Sequence, residues 1–135
     1  MDLLEVNWLA IVLAAVCGFL IGGIWYGPIM SKKWMGAVGL TEEDVQGGNM
    51  GLIYGGAMVF ALISSAMLAH MFYRLGQPPI HVKMMISTGI ALTFIIPAIG
   101  TNYLFSRKSK ALFFIDAGYW LLFYMAMGLV HAWLS

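Results

Sequence analysis

Polar and apolar positions along the chain fall into four long uncharged stretches. Glu5 and Lys32 enclose the first, Asp44 and Arg74 the second, Lys83 and Arg107 the third; the fourth follows Lys110 and holds one charge, Asp116. Each exceeds the roughly 18 to 20 apolar residues that cross about 30 Å of hydrocarbon. The pattern predicts an all-α integral membrane four-helix bundle, a single transmembrane domain over 1–135, with spans at 6–26, 50–72, 82–105 and 111–134. An interfacial loop covers 27–49. Within it, Thr41-x-x-Asp44 has the form of a capping box, so a short helix is expected to start near Thr41.

Composition changes the picture only by exclusion. At 61% apolar and 10% charged residues the chain is far from a soluble domain, and the spans leave no length for one that would catalyse a reaction or bind nucleic acid. The net charge of +1 gives no reason to expect a nucleic-acid partner. Basic residues instead report orientation. Lys32, Lys33, Arg107, Lys108 and Lys110 lie in the first and third loops, and only Arg74 and Lys83 lie near the second. The positive-inside rule then puts loops one and three in the cytoplasm and both termini outside. Cys17 is alone and can form no internal disulfide.

Small residues recur every four positions in span one (Ala10, Ala14, Gly18, Gly22) and span two (Gly51 and Gly55; Ala57, Ala61, Ser65, Ala69). Helices in lipid approach where side chains are smallest, so spans one and two are expected to pack closely or to mediate a homodimer. Pro97 should kink span three. Two pairs of motifs raise the question of a duplicated hairpin: Leu68-x-His70 with Leu129-x-His131, and Gly23-x-x-Tyr26 with Gly100-x-x-Tyr103. Shared membrane-interface requirements explain them better than duplication does, because motifs this short recur by chance.

Asp116 is the residue whose cost demands an account. A carboxylate inside a span costs roughly 2.5 to 3.5 kcal/mol on the translocon scale, so it must be paired, protonated or hydrated. Tyr26, Asn49, Tyr54, Asn102 and Tyr103 lie at the matching ends of the other spans and could form a polar cluster with it. Such a cluster could serve as a proton or cation site. The competing explanation is an acid near a helix start, favoured by the helix dipole and reached by water or Lys110. His70, His81, His131 and Glu5 gather at the other side as a weaker cluster, without metal-ligand spacing. No nucleophile with an adjacent base, phosphate loop or metal signature is present, so the sequence predicts neither an enzyme nor a cofactor or metal.

Asn7-Trp8, Trp25-Tyr26-Gly27-Pro28, Lys33-Trp34-Met35 and Gly39-Leu-Thr-Glu-Glu-Asp44 together resemble a bacterial family of small four-span membrane proteins catalogued as a domain of unknown function. The resemblance implies the bacterial inner membrane and the four-helix fold, and supplies no reaction. Its Trp-Tyr-x-Pro segment is expected to anchor aromatics at the interface while Pro28 ends the helix. Small multidrug exporters are similar in length and span count, but carry a glutamate embedded in span one, where this chain has no acid beyond Glu5. The expected function is structural or accessory, with membrane lipids and a second copy as partners. The alternative is a proton- or cation-coupled transporter or channel that uses Asp116 to move a small solute.

Overall fold

The computed structural model describes residues 6–134, all of whose regular structure is helical. Helix α1 (Trp8–Ile24) continues through a π-turn (Trp25–Ile29); α2 (Ser31–Val38) and α3 (Glu42–Gln46) follow, then α4 (Met50–Arg74). The third span is α5 (Ile80–Ile90), a second π-turn (Ala91–Ile95) and α6 (Ile96–Phe105), and the fourth is α7 (Lys110–Leu134). Four of these continuous helical runs are long and apolar enough to cross a membrane: Trp8–Ile29, Met50–Arg74, Ile80–Phe105 and Lys110–Leu134. The chain is a multi-pass membrane protein.

Local chemistry explains the breaks. Pro97 has no N–H, and in a regular helix its ring would strike the carbonyl of Thr93. The π-turn ahead of it widens the coil, with the Ile96 N–H donating to the Ala91 carbonyl five residues back. Around Pro28 the same device recurs, the Met30 N–H donating to Trp25 O at 2.8 Å. Pro28 sits inside this π-turn, and the helical run ends one residue later at Ile29, next to where the proline was expected to end it; Met30, at φ −116° and ψ 6°, turns the chain into α2, which the sequence pattern missed. α2 stops at Gly39, whose φ of 84° is the left-handed conformation glycine adopts without cost. The capping box forms at α3: the Asp44 N–H donates to Thr41 Oγ1 at 3.1 Å and the Thr41 N–H to Asp44 Oδ2 at 3.0 Å. That backbone donor, and then the threonine hydroxyl, hold the Asp44 carboxyl below its ordinary range.

Side chains are sorted as a hydrocarbon solvent requires. Ala10, Ala14, Ala15, Gly18, Ala61 and Ala91 are buried, whereas Leu52, Phe60, Phe94 and Leu104 face outward. With no hydrophobic force between helices in lipid, close backbone approach and dispersion hold the bundle together. α7 is its centre, packing most extensively on α1 and α5 and also touching α6 and α2. The glycines of α1 serve this contact: a Cβ at Gly18 would lie 2.5 Å from the Phe123 ring, and one at Gly22 would lie 3.1 Å from Tyr119. α4 packs on α1, as the small rows predicted, with Ala61 and Ser65 buried. The row Ala10–Ala14–Gly18–Gly22 thus serves the protomer itself, and Gly18 and Gly22 receive α7 rather than α4.

A duplicated hairpin with two-fold packing would pair α4 with span three as closely as α1 pairs with α7. Among the described residues no such pairing runs along their lengths. A groove of about 260 Å³ lies there instead, lined by Ile63, Ser64, Met67, Leu68, Ile90 and Tyr124.

Candidate functional site

Asp116 lies past the first turn of α7, whose start is capped by Ser109: the Leu112 N–H donates to Ser109 Oγ at 3.1 Å. Asp116 is therefore not the cap of its helix, and it lies beyond the first turn over which the helix dipole acts. The side chain is buried and points into the bundle. Tyr26 from the first π-turn donates its hydroxyl to Oδ1, and Tyr103 from α6 donates to Oδ2. One carboxylate thus ties three spans together, and each oxygen receives a phenolic donor.

The π-turn places two neighbouring side chains across α7. Trp25 Nε1 donates to the Ile115 carbonyl at 2.9 Å, and its ring covers Gly118, where a Cβ would meet it at 2.9 Å. Tyr26 reaches Asp116 beside it, held edge-on between Tyr119 at 5.1 Å and Trp34 of α2 at 5.7 Å between ring centroids. The Trp-Tyr-x-Pro segment, expected to anchor at lipid headgroups, is therefore a two-pronged dock onto α7. Trp25, Tyr26 and Trp34 are each half-buried.

Of the residues level with Asp116, only the two tyrosines reach it. Asn102 is exposed, because it adjoins Tyr103 and a step of about 100° turns it away from α7. Tyr54 is 56% exposed on α4 and packs edge-on against Phe19 instead. Asn49 caps α4 by accepting from the Leu52 N–H at 3.1 Å. Lys110 is exposed.

The histidine cluster at the other end does not form. His131 is 2% exposed in the bundle, while His70 and His81 are exposed on α4 and α5. Glu5 lies outside the described residues. Among those residues no group of histidine, cysteine or acidic side chains is placed to hold a metal ion. His131 meets two residues not singled out by their spacing. Ser65 gives its one hydroxyl proton to the Ile11 carbonyl at 2.7 Å, so at its 3.0 Å contact with His131 the imidazole Nε2–H donates. Lys83 is buried, its ammonium 5.5 Å above the Phe72 ring centroid, and His131 stands edge-on to the same ring. The available signal was Ser65, the one hydroxyl in the row Ala57, Ala61, Ser65, Ala69. Beside this cluster Asn7 Nδ2 donates to Leu134 O at 2.7 Å, joining the start of α1 to the end of α7.

The family model described as "Protein of unknown function (DUF1761)" matches residues 9–132. The chain belongs to this family. The match covers all four spans of the DUF1761 chain, extending the resemblance well beyond the motifs of its first 45 residues. No curated protein and no solved structure matches it. The family description assigns no activity, and the molecular function of the DUF1761 chain is unknown.

Proposed function

We propose that the chain is a structural or accessory protein of the bacterial inner membrane, without a reaction of its own, in which Asp116 is an internal tie. The observation that carries this reading is the capture of both carboxylate oxygens by phenols from two other spans. A coupling carboxylate must exchange its partners for a proton, a cation or water during each cycle. Here the partners are fixed side chains, one of them wedged between Tyr119 and Trp34. The competing reading, coupled transport of a small solute, draws on the burial of the same residue. Vesicles containing a pH-sensitive dye, with an imposed proton or cation gradient, distinguish the two. Flux through the wild type and Asp116→Asn should equal that of empty vesicles. A wild-type flux that Asp116→Asn abolishes would establish the transport reading instead.

Orientation and assembly are proposed together. The five basic residues of loops one and three support a cytoplasmic position for those loops, with both termini outside. A homodimer would use the face of α4 left bare within the protomer, where Gly51 and Gly55 are exposed and a Cβ at Gly55 meets nothing within 4 Å. One variant reads out both: Gly51→Cys in a Cys17→Ser background. It should crosslink to a second copy in membranes, and an impermeant thiol reagent should label it only once the cytoplasmic face is opened. Monomer alone counts against the dimer, and labelling of intact cells reverses the orientation.

A further inference from the structure

The groove between α4 and span three opens sideways, and its composition and position constrain what can fill it. Ile63 and Met67 form the mouth at 60% and 57% exposure, and Ile90 and Leu68 form the walls. On the floor the Tyr124 hydroxyl is spent on Ser64 Oγ at 3.3 Å, so the lining offers an occupant almost purely apolar contact. At about 260 Å³ it falls below the roughly 300 to 1,000 Å³ of pockets for compact small molecules. A second helix is also a poor fit. Helices meet in lipid across small residues, and this lining has large aliphatic side chains and flexible Met67 in place of glycine or alanine.

One face of α4 continues out of the groove. Ile63, Met67, His70 and Arg74 follow one another at helical spacing, and all four are exposed. At about 1.5 Å per residue Ile63 and Arg74 are about 16 Å apart along the axis. That is one leaflet of a hydrocarbon core about 30 Å thick. Arg74 is therefore at headgroup level when the groove lies within that leaflet. Five of the seven basic residues lie at the opposite end together with all the acids among the described residues, Glu42, Glu43, Asp44 and Asp116, so at this end Arg74 has no described acid beside it. We propose that the groove holds an acyl chain of an anionic phospholipid, whose phosphate is received by Arg74 with His70 one turn away.

The test uses the full chain reconstituted in vesicles of equal parts phosphatidylglycerol and phosphatidylcholine, extracted in mild detergent and weighed by native mass spectrometry. One phosphatidylglycerol per chain should be retained in preference to phosphatidylcholine. Arg74→Gln should lower that preference about fivefold, the worth of one basic residue near an anionic surface. Ile90→Trp should fill the groove and remove lipids of both kinds with the melting temperature unchanged; should it disturb the packing, Met67→Trp at the exposed mouth serves instead. Equal retention of the two lipids, no retained lipid, or a preference that Arg74→Gln leaves intact would overturn the proposal. So would a dimer that the groove-filling variant disrupts, because a second copy would then be the occupant.

Discussion

Removing both phenolic hydroxyls, in Tyr26→Phe combined with Tyr103→Phe, is expected to destabilise the protein by about 3 to 5 kcal/mol, the cost of stripping a buried charge of its partners. Each single replacement should cost about 1.5 to 3 kcal/mol, because a hydrogen bond to a charged acceptor outweighs a neutral one. Neutral bonds between membrane helices average only about 0.6 kcal/mol, so the size of the loss tests whether Asp116 is charged in the tie. Adding Asp116→Leu to the double variant should recover most of the loss, since an apolar set of similar shape leaves nothing unsatisfied. Denaturation in mixed micelles, followed by near-ultraviolet circular dichroism, gives the comparison. A double variant as stable as the wild type, or a triple variant no better than the double, would remove Asp116 from the account of what holds these spans together.

Gly128→Ala is expected to cost about 1 to 3 kcal/mol, although alanine is the better helix former. The added Cβ would fall on Ser87, 2.6 Å from that residue's own Cβ. Ser87 is buried and its hydroxyl is bonded to the Lys83 carbonyl at 2.9 Å, so relief requires α5 and α7 to separate. Gly23→Ala supplies the contrast: nothing lies within 4 Å, and about 0.5 to 1 kcal/mol should be gained. Thermal denaturation of the two variants should move in opposite directions. A shared sign would mean that the α5–α7 contact is looser than these distances imply.

The sequence made height in the bilayer legible, and left rotation about each helix axis largely hidden. Charge spacing placed the spans within a few residues, and the positions of Asp116, Tyr26, Tyr54, Asn102 and Tyr103 along their helices put all five at one level. Which of them meet depends on azimuth. Tyr103 and Asn102 are neighbours about 100° apart, so only one can face α7. Amphipathic periodicity would normally decide which one, but lipid is as apolar as the core and erases that signal. Likewise the spacing of His70, His81 and His131 gave no hint that one is buried on Ser65 while the others are exposed. The row of glycines in α1 was readable as a contact surface. That its partner would be aromatic rings of α7 was not, because a small residue specifies close approach without specifying what approaches.

The central place of α7 also bears on when the bundle can assemble. As the fourth span it leaves the ribosome after the others, yet it supplies the surface on which α1, α5 and α6 pack and the carboxylate that Tyr26 and Tyr103 share. Among the described residues, α1 with α4 is the one extensive packing of two spans that does not involve α7. Span three then waits in the bilayer as a separately inserted helix until synthesis has passed Asp116 and the helices can close around it.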